Sequence, residues 1–118
     1  MNESFEMKEA AFDERFEALR LAMLAEQHAV VCQMAGVIEF LADNTLDGVA
    51  ETRFLFEPLV ISAMRETDFM SQMVMLLDIF IQYRNQHDIS PRQFGAITLE
   101  NGVMSIQWYT SRHEYERA

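Results

Sequence analysis

The sequence predicts a mainly α fold of the α+β class: about four helices, the first of them long, closed by a C-terminal antiparallel β-hairpin. Three observations predict it. Residues 3–42 hold no proline and a single glycine, and are rich in Ala, Leu, Met, Glu and Arg, which lose little on entering a helix. Asn101-Gly102 stands between two alternating segments, and both central positions of a type I′ turn need positive φ. Finally, 118 residues, half of them apolar, suit one compact domain spanning 1–118 with a sizeable core.

Residues 1–28 read as an amphipathic helix. Phe5, Phe12, Phe16, Leu19 and Met23 are separated by seven, four, three and four, which stacks them along one side. Glu6, Asp13, Glu14, Arg15, Glu17 and Arg20 fall mostly elsewhere and keep the other faces wet. Residues 29–41 change character, because Val30, Val31, Cys32, Met34, Val37, Ile38, Phe40 and Leu41 surround the axis and imply burial nearly all round. A single rod of this length would reach roughly 60 Å, more than the domain can hold, so the helix either breaks, best at Gln27-His28, or projects its first half. A projecting half needs a partner helix. The simplest is the same helix of a second copy, which makes Phe5, Phe12, Phe16, Leu19 and Met23 the expected self-association residues of a homodimer.

Residues 29–93 form the expected helical core. Asp43-Asn44-Thr45-Leu46-Asp47-Gly48 is dense in turn and cap residues, ends the first helical region, and lets Thr45 or Asp47 cap a short helix. Glu57-Pro58 starts a third helix running to Glu66. Thr67 or Asp68 caps a fourth, whose broad apolar surface runs from Phe69 to Tyr83 and which ends in the polar run 84–88. Residues 94–110 alternate. Pairing outward from Asn101-Gly102 sets Leu99 against Met104, Ile97 against Ile106 and Gly95 against Trp108 on one side, and Thr98 against Ser105 on the other. Residues 111–118 form a charged tail.

The net charge of −10 excludes a surface built for free nucleic acid or an anionic membrane. One cysteine closes no internal disulfide, and neither a secretion signal nor a membrane-length apolar run is present, so a reducing cytoplasm is the expected compartment. Residues 43–48 match the opening of a calcium loop, but its twelfth position is Phe54 where a bidentate carboxylate is needed, so they read as an interhelical turn. His28 and Cys32 have helical zinc-ligand spacing without a further ligand nearby, and read as a core thiol beside an imidazole. His87 suits the negative end of its helix. No nucleophile elbow or glycine-rich phosphate loop occurs, so no catalytic residue, metal or cofactor is expected.

Met64, Met70, Met73 and Met75 cluster on two neighbouring helices and read as core first and an adaptable groove second. The acidic residues are the most uneven feature. Residues 21–60 carry six carboxylates against Arg53 alone, and Glu39, Asp43, Asp47 and Glu51, spaced by fours, are the expected partner-binding residues. The leading expectation is therefore a small acidic protein that inhibits or masks a larger basic, even nucleic-acid-binding, protein, as an immunity protein, anti-defence inhibitor or nucleic-acid mimic does. The alternative is a secretion-type chaperone or adaptor holding an apolar client segment in a Met-rich groove. An enzyme without a recognisable motif stands third.

Overall fold

The computed structural model describes residues 12–87 and 92–117. The described elements run α1 (Phe16–Gln27), α2 (Ala29–Cys32), β1 (Gly36–Ala42), β2 (Val49–Leu55), α3 (Pro58–Arg65), α4 (Phe69–Gln86), β3 (Phe94–Glu100), β4 (Val103–Tyr109) and α5 (Arg112–Arg117). The four strands form one antiparallel sheet in the order β2-β1-β3-β4, two hairpins joined along their inner strands. This overturns the mainly helical expectation with its single terminal hairpin. Half of the segment read as buried helix is a central strand, and the expected short helix after it is an edge strand.

The physical reason lies in what covers β1. Ile38, Phe40 and Ala42 point to the helical layer and are buried, while on the other face Arg112 of α5 reaches over the buried Glu39, and Val37 and Leu41 on either side of it are half-buried. A strand covered on both faces loses polar alternation and looks like a helix buried all round. The clearer signal is in β2. Thr52 and Phe54 lean inward, and Glu51, Arg53 and Leu55 are exposed between them, an alternation of period two. Residues 43–48 are accordingly a β-hairpin connection rather than an interhelical turn, with Leu46 at φ 57°.

The C-terminal hairpin has the register that alternation gives: Leu99 faces Met104, Ile97 faces Ile106, Gly95 faces Trp108, and Asn101 and Gly102 turn at φ 54° and 79°. The bare Gly95 is covered chiefly by Phe40, whose ring would lie 2.2 Å from any added Cβ, while Trp108 meets that ring edge-on at a centroid distance of 5.1 Å.

The helical layer packs on one side of the sheet. Helix α1 stops at Gln27, and His28 leaves helical geometry at φ −127°, ψ 50° before the short α2 turns the chain toward β1. Pro58 opens α3 in its first turn. Helix α4 follows Asp68, which makes no side-chain cap; the Phe69 N–H of its first turn donates instead to Thr67 Oγ1 at 3.1 Å, and the helix buries Phe69, Met73, Leu77, Phe80 and Ile81. Helix α1 does not project. It buries Leu21, Leu24 and, against expectation, Glu17, which sits at 6% exposure. Arg84 Nε donates to Glu17 Oε2 at 2.6 Å and Arg84 Nη2 to Oε1 at 3.0 Å, while Trp108 Nε1 donates to Oε1 at 3.2 Å. One carboxylate thus ties α1, α4 and β4 together. A buried charge is tolerated only when its lone pairs are satisfied in this way.

Candidate functional site

The expected acidic site does not assemble as a unit. Glu39 lies on β1, on the sheet face opposite the helical layer, and is 7% exposed. Its Oε1 stands 3.5 Å from Arg53 Nη1 across the strand pair and 3.9 Å from Arg112 Nη1 of α5, with no hydrogen bond among the described residues. Burial, and then the neighbouring Glu39, push the Tyr115 phenol above its ordinary pKa. Glu39 is therefore a counter-ion under α5 rather than a projecting ligand. Around it Phe94 touches Tyr115 and lies under Arg112, and Tyr109 packs on Tyr115.

Asp43 is turned onto its own loop. Its Oδ1 accepts from the Thr45 N–H at 3.1 Å, the Thr45 hydroxyl at 3.0 Å and the Asp47 N–H at 3.0 Å, and these donors, the Asp47 N–H first, hold its carboxyl below the usual range. Asp47 and Glu51 remain exposed. Strand alternation puts Glu39 and Glu51 on one sheet face, and the other two stay in the loop at its end.

The expected aromatic stripe is also divided. Phe5 lies outside the described residues. Phe12 packs on Tyr83 and His87, and Phe16 stacks on Tyr83 at 3.7 Å and meets Phe80 edge-on, so both rings fold onto α4. Leu19 and Met23 stay outside at 53% and 60% exposure. The stripe's rings are spent on α4 because the helix turns Glu17, Leu21 and Leu24 inward.

What the structure assembles instead is an apolar groove between α1 and α4, of about 270 Å³. Met23 and Leu24 form one wall, Met75, Leu76 and Ile79 the other, with Gln27 and Gln72 near the end where His28 shares a hydrogen bond with Gln72 at 2.6 Å, and with Arg20 at the side. Met75 and Ile79 are 62% and 44% exposed. Of the expected methionine cluster, Met64 and Met73 are wholly buried core and Met75 alone is strongly exposed, so the thioether facing it comes from α1. By sequence, Met23 belongs to the stripe expected to self-associate. The signal that finds the groove is the pair of exposed apolar positions on α4, Met75 and Ile79, four apart on the side away from its core face.

No family model, curated protein or solved structure matches the chain. Its chemistry therefore rests on its own residues. Among the described residues no group of three or more His, Cys, Asp or Glu is placed to hold a metal ion. The Cys32 thiol is 1% exposed and burial raises its pKa, which suppresses the reactive thiolate. Among the same residues no helix is long and apolar enough to cross a membrane.

Proposed function

We propose that this chain is a small, non-catalytic binding protein that holds an apolar segment of a client protein in the α1–α4 groove, in the manner of a chaperone or adaptor. The observation that carries this reading is the exposure of Met23, Met75 and Ile79, at 60%, 62% and 44%, around one apolar depression, while Met64 and Met73 are buried and Met70 is half-buried. Flexible thioethers adapt to differing apolar side chains. The groove lies at or below the size of ordinary small-molecule pockets, which start near 300 Å³, and suits one or two side chains of a docked helix. The net charge of −10 favours clients whose apolar residues are flanked by Lys or Arg. A reducing compartment suits the single buried thiol.

The test uses a short amphipathic peptide of Leu and Lys as probe, titrated by fluorescence anisotropy. Wild type should bind, losing at high salt only the share of affinity that the Lys side chains draw from the acidic surface, and Met75→Glu should weaken binding about tenfold or more at high salt, since a carboxylate in an apolar contact forfeits its burial energy. Equal binding by both forms sinks the groove. Binding lost steeply with salt in both forms instead favours masking of a basic protein through the exposed Asp47 and Glu51.

A further inference from the structure

Helix α1 has a second unpartnered face, separate from the groove. Its inward side is Glu17, Leu21 and Leu24, and the side turned to α4 carries Arg20, Met23 and Gln27. Of the exposed positions left over, Ala18, Ala22 and Glu26 border a second depression beside the β3–β4 turn, and Arg15, Leu19, Ala22 and Glu26, spaced by four, three and four, form the outward line. All four are exposed: the Arg15 side chain is 80% accessible and Leu19 53%. Arg15 immediately precedes α1 with helical backbone angles, φ −91° and ψ −3°, so it extends the same line. A helix face that only meets water normally carries polar residues throughout. Here the two central positions are Leu and Ala, and the charges stand at the ends.

We propose that this face is the seam of a homodimer in which two copies of α1 pair antiparallel. The spacing of four, three and four is that of alternating seam positions in a helix pair. In an antiparallel pair centred between Arg20 and Leu21, Leu19 meets Ala22 of the second copy, and Ala22 meets its Leu19. Arg15 meets Glu26 of the second copy, and Glu26 meets its Arg15. Large side chains fall on small ones and opposite charges on one another. A parallel pair would set Arg15 on Arg15 and Glu26 on Glu26, and like charges in contact repel. The sequence of the seam is thus self-complementary in one direction only, the condition for a closed two-fold interface. Arg15 has a competing ion pair with Asp13 at 3.6 Å, while Glu26 makes none with any described residue. The occupant is a second copy because no other partner is guaranteed to carry the complementary order of charge and size.

Ionic strength is a poor probe, since salt screens the seam pairs and the mutual repulsion of two strongly acidic chains alike. Charge reversal in the full chain is specific. By sedimentation equilibrium, wild type should dimerise, and Arg15→Glu and Glu26→Arg should each raise the dimer dissociation constant about tenfold, because each turns two attractive contacts into repulsive ones. The doubly reversed chain should return to within about threefold of wild type. Leu19→Glu should give a monomer. Circular dichroism and thermal midpoints should match wild type in all four variants, as the positions are exposed. Met75→Glu should leave dimerisation unchanged, which separates this seam from the groove. A wild type that remains monomeric at sub-millimolar concentration, or a double reversal whose effects add instead of cancelling, overturns the proposal.

Discussion

Gly95 and Gly102 belong to the same hairpin and are required for different reasons. Gly102 has φ 79° and nothing within 4 Å of an added Cβ, so its requirement is purely one of backbone conformation. Gly95 has no such conformation, and its missing Cβ is the space in which Phe40 sits, 2.2 Å from where that atom would be. Gly102→Val should therefore lose on the order of 1–3 kcal/mol through strain alone. Gly95→Ala should lose about as much or more by overpacking against a buried ring on the neighbouring central strand. Urea unfolding measures both. The two differ in their rescue: Phe40→Leu in the Gly95→Ala background should recover part of the loss, and in the Gly102→Val background it should recover none. The first requirement is legible in the dipeptide Asn101-Gly102. The second is not, because it depends on which residue of a distant strand lies alongside.

At the level of elements, α1 is held by one buried carboxylate, and its position follows from that tie. Removing Arg84 while leaving Glu17 buried strands an ionised group, so Arg84→Leu should destabilise by about 3–5 kcal/mol. Glu17→Gln in the Arg84→Leu background should return a good part of that loss, since the stranded charge is gone. Thermal unfolding followed by the near-ultraviolet signal of Trp108, which donates to Glu17, reports the change; an Arg84→Leu midpoint equal to wild type refutes the tie. The β1–β2 loop offers a second check. Donors from Thr45 and Asp47 hold the Asp43 carboxyl below its ordinary range, so its ionised form favours the folded loop above that range. That contribution disappears as acidification passes its folded-state pKa. Asp43→Asn keeps an acceptor oxygen but does not titrate. Its thermal midpoint should accordingly fall less steeply than that of wild type between neutral and acid pH, and parallel curves would refute the assignment. Glu17 reads in sequence as one more wet residue of an amphipathic helix, and Arg84 as part of a polar helix end. Neither reading contains the other residue, which is why the pair escapes a local view.

For the whole molecule, a net charge of −10 on 118 residues sets a self-repulsion that the compact state bears more than the unfolded chain does. Raising ionic strength from low values to about 0.1 M, where the Debye length is about 10 Å, should raise the thermal midpoint. A flat or falling midpoint would mean that the exposed carboxylates are already neutralised by local partners, as Glu39 is by Arg53 and Arg112. The sequence by itself determined the features that act over a few residues. These are the Asn101-Gly102 turn and the register it imposes, the start of α3 at Pro58, the amphipathic length of α4 and the acidity of the surface. By sequence, residues 29–41 also read as buried nearly all round, a reading that Val30 breaks at 73% exposure and that over the rest suits both a core helix and a covered central strand. Only the tertiary structure decided between them, because the choice depends on whether β2 and β3 lie alongside to take up the backbone N–H and C=O groups of β1. Once β1 is a strand, Glu39 is carried to the far face of the sheet beneath α5, the acidic set is divided, and α1 packs against α4 and β4 with its apolar groove on one flank. A period of 3.6 and a period of 2 cannot be told apart in a short run where all side chains but Glu39 are apolar, and the partners that distinguish them are far away in the chain.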